Sequence, residues 1–280
     1  MVQRFLKWLG IGLAGVVALL LLAATVIYAL SARILHKTYA VPLVEIAVPS
    51  GPAAVAEGRR LAAIRGCNGC HGPQLEGDMF LDDPMLARIP APNLTQVVAD
   101  YSDAELERLI RHGVRKDGTG VVIMPSSMFA PLSDADLGLI IAYVRSAPPV
   151  DHDLPATRIG PIGRLGLVLG KFHTEPAVID HTAPHAATAP KNDRLAYGRY
   201  LALTSCTECH GSDLKGEPDG APNLVVAAAY SDSAFRSFFK TGNALGNRRL
   251  KLMSEMAERR FLHFTGDEVG ALHAYLKTLQ

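Results

Sequence analysis

The four cysteines of this 280-residue chain all stand in two Cys-x-x-Cys-His runs: Cys67, Cys70 and His71, then Cys206, Cys209 and His210. A Cys-x-x-Cys pair can be a redox dithiol, half of a zinc site or a haem attachment point. The adjacent histidine separates these readings. Two thiols at this spacing can add across the two vinyl groups of haem, and a histidine directly after the second cysteine can reach the iron. Zinc would demand further ligands and leave His71 and His210 without a role. A thioredoxin-like dithiol expects a βαβ unit, which the sequence lacks. The signature, present twice, predicts two covalently bound haem c groups.

The elements around these motifs repeat. Gly58 to Leu61 leads into the first motif and Gly198 to Leu201 into the second. Both copies continue alike: Gln74 to Gly77 matches Asp213 to Gly216, Ala91 to Leu94 matches Ala221 to Leu224, and Tyr101 to Asp103 matches Tyr230 to Asp232. Each copy closes on an Ala-Tyr pair, Ala142-Tyr143 and Ala274-Tyr275. Such ordered self-similarity marks a duplicated unit. The spacing predicts a helix before each motif, over 52–65 and 194–203. Ser102 with Glu105 and Thr265 with Glu268 form capping boxes that start further helices, and Ser133 starts another with Leu137, Ile140, Ile141 and Val144 on one face. No convincing run of alternating strands is legible. The segment 148–190 is proline-rich and resists regular helix. Its apolar stretch Ile162 to Phe172 is expected to pack on a domain or touch the membrane.

At the amino terminus, Leu9 to Leu30 carries no charged residue and is long enough to cross a hydrocarbon core of about 30 Å. A retained anchor is expected, with a cleaved signal peptide as the competing reading. The predicted architecture is mainly α: a transmembrane anchor at 1–32, a first domain at 52–147, a proline-rich linker at 148–190 and a second domain at 191–280.

These residues resemble the class I cytochrome c family over nearly all of both repeats. The shared order is a helix with a glycine, Cys-x-x-Cys-His, a Pro-Asn-Leu segment, a methionine and a final helix with an aromatic residue. The resemblance implies that Gly58 and Gly198 let the first helix approach the last near Tyr143 and Tyr275. It also implies that the carbonyls of Pro92 and Pro222 orient the ligating histidines, which fixes tautomer and ring direction. The sixth iron ligand is expected from methionine. In the first copy Met124-Pro125 looks like the ligand segment of the family, with Met128 as substitute; Met79 and Met85 sit in an insertion. In the second copy Met253 and Met256 compete, and Met253 is favoured because similar small bacterial cytochromes often place the ligand before an Arg-Phe pair like Arg260-Phe261; Ser254 stands where the family has proline. His112 aligns with Thr241 and is not shared. His263 or His273 would make a bis-histidine second site, and His173, His181 and His185 read as surface.

Histidine and methionine together leave no vacant iron position, so the expected role is electron transfer without catalysis. No paired carboxylates, nucleophile elbow or phosphate cradle recurs in both copies. With 28 basic and 27 acidic residues, bulk charge gives no reason to expect nucleic acid. The resemblance implies a bacterial inner-membrane protein with its haem domains in the periplasm, exchanging electrons with a dehydrogenase, a quinol-linked complex or an oxidase. The dehydrogenase subunits it resembles commonly carry three haem domains, which argues against that exact subunit. A diheme peroxidase with one open haem site is the enzymatic alternative. Arg248, Arg249, Lys251, Arg259 and Arg260 form a candidate docking rim for an acidic partner.

Overall fold

The computed structural model describes residues 1–216 and 220–279. An anchor helix, Val2–Leu35, extends from the rest of the molecule with its apolar side chains exposed. At 1.5 Å per residue it is about 50 Å long, enough to cross a bilayer. Its mean hydropathy and length fit membrane anchoring.

The remainder is mainly helical and repeats one plan. A leading helix, Pro52–Ile64 in the first copy and Arg194–Leu203 in the second, packs across a closing helix, Asp134–Ser146 or Gly266–Leu276. The crossing needs glycine. A Cβ on Gly58 would collide with the Leu139 carbonyl, and one on Gly198 with the Ala271 carbonyl, with Tyr143 and Tyr275 alongside. A third helix starts at the predicted cap Ser102 in the first copy, Asp103–His112, and after the matching Ser231 in the second, Asp232–Thr241. The capping boxes at Ser102/Glu105 and Thr265/Glu268 both form, and Ser133 caps its helix by accepting from the Asp136 amide.

Two expectations are corrected. The insertion around Met79 and Met85 is a hairpin, Asp78–Asp83 with Ala87–Ala91, to which Arg158–Ile159 of the linker adds a third antiparallel strand. A second, two-stranded ladder joins Asn243–Ala244 to Arg248–Arg249. These strands are short or bulged, so their alternation is too brief to stand out in sequence. The linker also contains a helix, Pro161–Val168, whose proline sits in the first turn, where its missing N–H costs nothing. This helix packs on the carboxyl end of the anchor: Arg164 donates to the Ser31 hydroxyl at 2.9 Å and lies 4.6 Å over the Tyr28 ring.

The two repeats share one interior. Leu61, Ile64, Leu137 and Ile141 from the first are continuous with Tyr200, Leu201, Phe239 and Leu272 from the second. Polar groups cross the boundary as well. Arg60 bridges to Glu268 at 2.8 Å, and the Tyr200 hydroxyl donates to Asp136 at 2.7 Å.

Candidate functional site

In the second repeat Asp193 caps the leading helix by accepting from the Leu195 and Ala196 amides, and the helix end delivers Cys206 into the one-turn segment Thr207–His210. His210 Nδ1 lies 2.7 Å from the Pro222 carbonyl, which can only accept, so Nδ1 carries the proton. Nε2 is left with a lone pair. It is also buried and has no partner in the protein. An orphaned buried nitrogen normally carries a cost that a partner must offset.

The space beside it supplies room for that partner. A cavity of about 850 Å³, counting its open mouth, is lined by Cys206, Cys209, His210, Met253 and Met256 and walled by Phe235, Phe238, Phe239 and Phe261. That apolar lining suits a flat organic cofactor. Two thiols, one unpartnered imidazole nitrogen and a thioether wall fit haem c. When bound, haem supplies an iron that cycles by one electron, its potential set by axial ligands and surroundings.

The first repeat builds the same frame. His71 Nδ1 donates to the Pro92 carbonyl at 2.9 Å, and Asn68 donates to the Tyr143 hydroxyl at 3.0 Å. Met124 is half-buried against the core, whereas Met128 is 2 % exposed on the short helix Ser126–Phe129. Met79 lies on a hairpin strand and Met85 is exposed at its turn.

Burial raises the Cys67 thiol to about 11 and the Cys206 thiol to about 12. A redox dithiol needs the opposite shift. Among the described residues neither cysteine pair gathers the further ligands that zinc requires. Of the proposed alternative iron ligands, His273 is committed elsewhere: Nε2 lies 3.2 Å from the Ala227 carbonyl and the ring stacks on Phe235 with centroids 4.3 Å apart. Neither His273 nor His263 lines the cavity beside His210.

The two motifs abut. Arg260, from the methionine segment of the second repeat, donates at 3.1 Å both to the Ile64 carbonyl at the end of the first leading helix and to Glu208 between Cys206 and Cys209. It thereby satisfies a helix-end carbonyl that has no partner within its own helix. Burial raises the thiols of Cys70 and Cys209, and Glu208 and Arg260 act next on both. One ion pair therefore serves both sites. Arg65 is fully buried beside it, 3.5 Å from Asp136 and 3.4 Å from the Thr204 hydroxyl. Arg260 is thus removed from the expected docking rim; Arg248, Arg249, Lys251 and Arg259 stay exposed, with Arg249 paired to Glu258.

Sequence reasoning missed Arg65 and the bridging role of Arg260, because neither belongs to a landmark shared by both copies. It also missed Leu75 and Leu214, buried leucines with φ of 64° and 62° at matching positions after the two motifs. Leucine rarely adopts this left-handed conformation, so its occurrence in both copies marks a backbone path fixed by packing. The Leu-x-Gly spacing shared by both repeats was the available signal.

This geometry defines a duplicated unit of the cytochrome c kind. The Cytochrome c family pattern matches residues 55–148 and 195–280, and the chain belongs to that family. It is 27 % identical over 262 residues to the fructose dehydrogenase cytochrome subunit of Gluconobacter japonicus, covering 80 % of this chain and 52 % of that protein. It is 25 % identical over 271 residues to the alcohol dehydrogenase (quinone) cytochrome c subunit of Gluconacetobacter polyoxogenes, covering 81 % and 56 %. The gluconate 2-dehydrogenase cytochrome c subunit of Pantoea cypripedii is likewise 25 % identical, covering 81 % and 60 %. The chain spans about half the length of the curated relatives it matches.

Proposed function

We propose that this chain is a membrane-anchored, two-haem electron carrier that serves as a cytochrome subunit of a membrane dehydrogenase. The observation that carries this reading is the pairing, in both repeats, of a Cys-x-x-Cys-His motif with a proline carbonyl that directs the histidine, at 2.9 and 2.7 Å. Cys67, Cys70, Cys206 and Cys209 hold the two haems, His71 and His210 bind the irons, and Met124 and Met253 complete the ligand sets. The domains run from 52–147 and 191–280, with 148–190 between them.

The protein's own groups tune and connect the sites. The proline carbonyls hold each histidine in one tautomer and raise its basicity toward iron. The phenylalanine wall excludes water from the second site and so favours the less charged, reduced state. Arg260 and Glu208 hold the two motifs side by side, which favours passage of an electron from one site to the other over exchange through solvent. The anchor keeps both domains near membrane partners and raises their effective concentration there. The haem domains face the periplasm of a bacterial inner membrane. The partner is a dehydrogenase, as it is for the relatives' cytochrome subunits, with the electron leaving to a quinone-linked or oxidase acceptor.

The test is purification from native membranes without crosslinking. A dehydrogenase subunit is expected to co-purify, and its substrate should reduce both haems. Full carbon monoxide binding at one reduced haem, or peroxide turnover, would contradict the carrier reading and favour the peroxidase alternative.

A further inference from the structure

Three histidines that the iron sites do not use meet on the first repeat. The linker returns to this domain by specific bonds: the Asp134 and Ala135 amides at the start of the closing helix donate to the Ala186 and Ala187 carbonyls, both at 3.0 Å. The Ser127 amide donates to the Glu175 carboxylate at 2.9 Å. These contacts bring His181 and His185, expected at the surface, against His112, which is 3 % exposed at the end of its helix. One ligating atom each from Glu107, His112 and His185 falls within 4.8 Å of the others.

The protonation pattern follows from hydrogen-bond partners. His181 Nε2 lies 3.0 Å from the Pro176 carbonyl, so Nε2 carries the proton and Nδ1 can only accept. His181 Nδ1 is 3.0 Å from His112 Nδ1, which must therefore donate. His112 Nε2 is left with its lone pair. Glu107 is fully buried; Arg111 takes one of its oxygens, and Oε2 has no partner in the protein. The Arg111 charge is itself offset by Glu107 and by Asp134 at 2.9 Å. The pocket therefore holds one buried, unpartnered carboxylate oxygen.

We propose that Glu107, His112 and His185 bind a divalent metal ion of the zinc class, with His181 holding the His112 ring in its ligating tautomer. Two imidazoles and one carboxylate form a familiar three-ligand set for zinc, with a fourth position left to solvent. A histidine ligand whose other nitrogen is fixed by a hydrogen bond matches how such sites are built. Bound there, the ion clips the linker to the first haem domain and shortens the free loop between the repeats.

The test uses the untagged, haem-loaded, full-length protein in detergent, stripped with chelator and dialysed against Zn²⁺. The wild type should retain about one zinc per chain, counted separately from haem iron, and zinc-edge X-ray absorption should show only nitrogen and oxygen neighbours at about 2.0–2.1 Å. His185→Asn, a half-buried linker change, should weaken zinc binding at least tenfold with the haem spectrum unchanged. His181→Asn should weaken it by a smaller factor and serves as an independent variant. Zn²⁺ should raise the melting temperature of the wild type and not of His185→Asn. Failure of the wild type to retain zinc, undiminished retention in both variants, or sulfur in the zinc shell would overturn the proposal.

Discussion

The two cytochrome c repeats share a skeleton and differ in what surrounds it. In both, a glycine lets the leading helix cross the closing helix, a buried left-handed leucine follows the motif, and a proline carbonyl directs the histidine. In the first, a hairpin and the returning linker wrap the domain, and Met124 and Met128 differ in burial. In the second, a phenylalanine cluster walls a cavity that both Met253 and Met256 reach. On the two-haem reading proposed above, the repeated residues would set the chemistry of attachment, whereas the unrepeated ones would give each iron its own surroundings and so its own potential.

Methionine substitutions break this comparison most sharply. Met253→Ala should abolish the thioether-to-iron charge-transfer band of one haem and lower its potential by roughly 0.1 V, a fraction of the ~0.8 V that axial ligands span. Met256→Ala should leave the band in place, and Met124→Ala should lose it where Met128→Ala does not. Potentiometric titration followed by absorbance checks all four; reversal within either pair reassigns that ligand.

The shared helix crossing is the next target. Gly58→Ala and Gly198→Ala should each cost about 1–3 kcal/mol through overpacking, because the new methyl meets a backbone carbonyl that cannot swing away. Thermal unfolding of the haem-loaded protein should show similar losses for the two; a neutral result at either would mean that the crossing is not shared.

The boundary between the repeats is the third. Removing Arg60 leaves Glu268 nearly buried without its cation, and Arg60→Ala should cost about 1–3 kcal/mol. This is less than the roughly 3–5 of a fully buried pair, because Arg60 keeps some solvent contact. The smallest effect is on pH. Burial pushes the Glu268 carboxyl up, but the Arg60 hydrogen bond, with the Thr265 amide, Arg60 charge and Tyr197 hydroxyl, brings it below its ordinary 4.5. A depressed carboxyl stabilises the fold above its unfolded value and loses that contribution as pH falls through the folded one. Stability should therefore drop below about pH 4.5, with a shallower acid limb in Glu268→Gln.

What sequence made legible follows the same division. The attachment motifs and the helix caps were readable because each is local in sequence, whereas the proline carbonyls and the glycine crossings were legible only through the family resemblance, whose landmarks occur in both copies. The hairpin escaped because its strands are short and bulged, and the linker helix because its prolines masked a favourable first-turn position. Arg260 capping Ile64, and His112 meeting His181 and His185, escaped because each joins segments far apart in sequence through tertiary packing alone. The basic rim was half legible: spacing brought its residues together, but only the fold turned Arg260 inward.

Covalent haem at both motifs is the claim on which the rest depends, and intact mass spectrometry of the denatured protein tests it directly. The wild type should carry the added mass of two haems. Cys67→Ser with Cys70→Ser, and Cys206→Ser with Cys209→Ser, should each carry one. A wild type with one haem or none, made in a host competent for cytochrome maturation, would contradict the account.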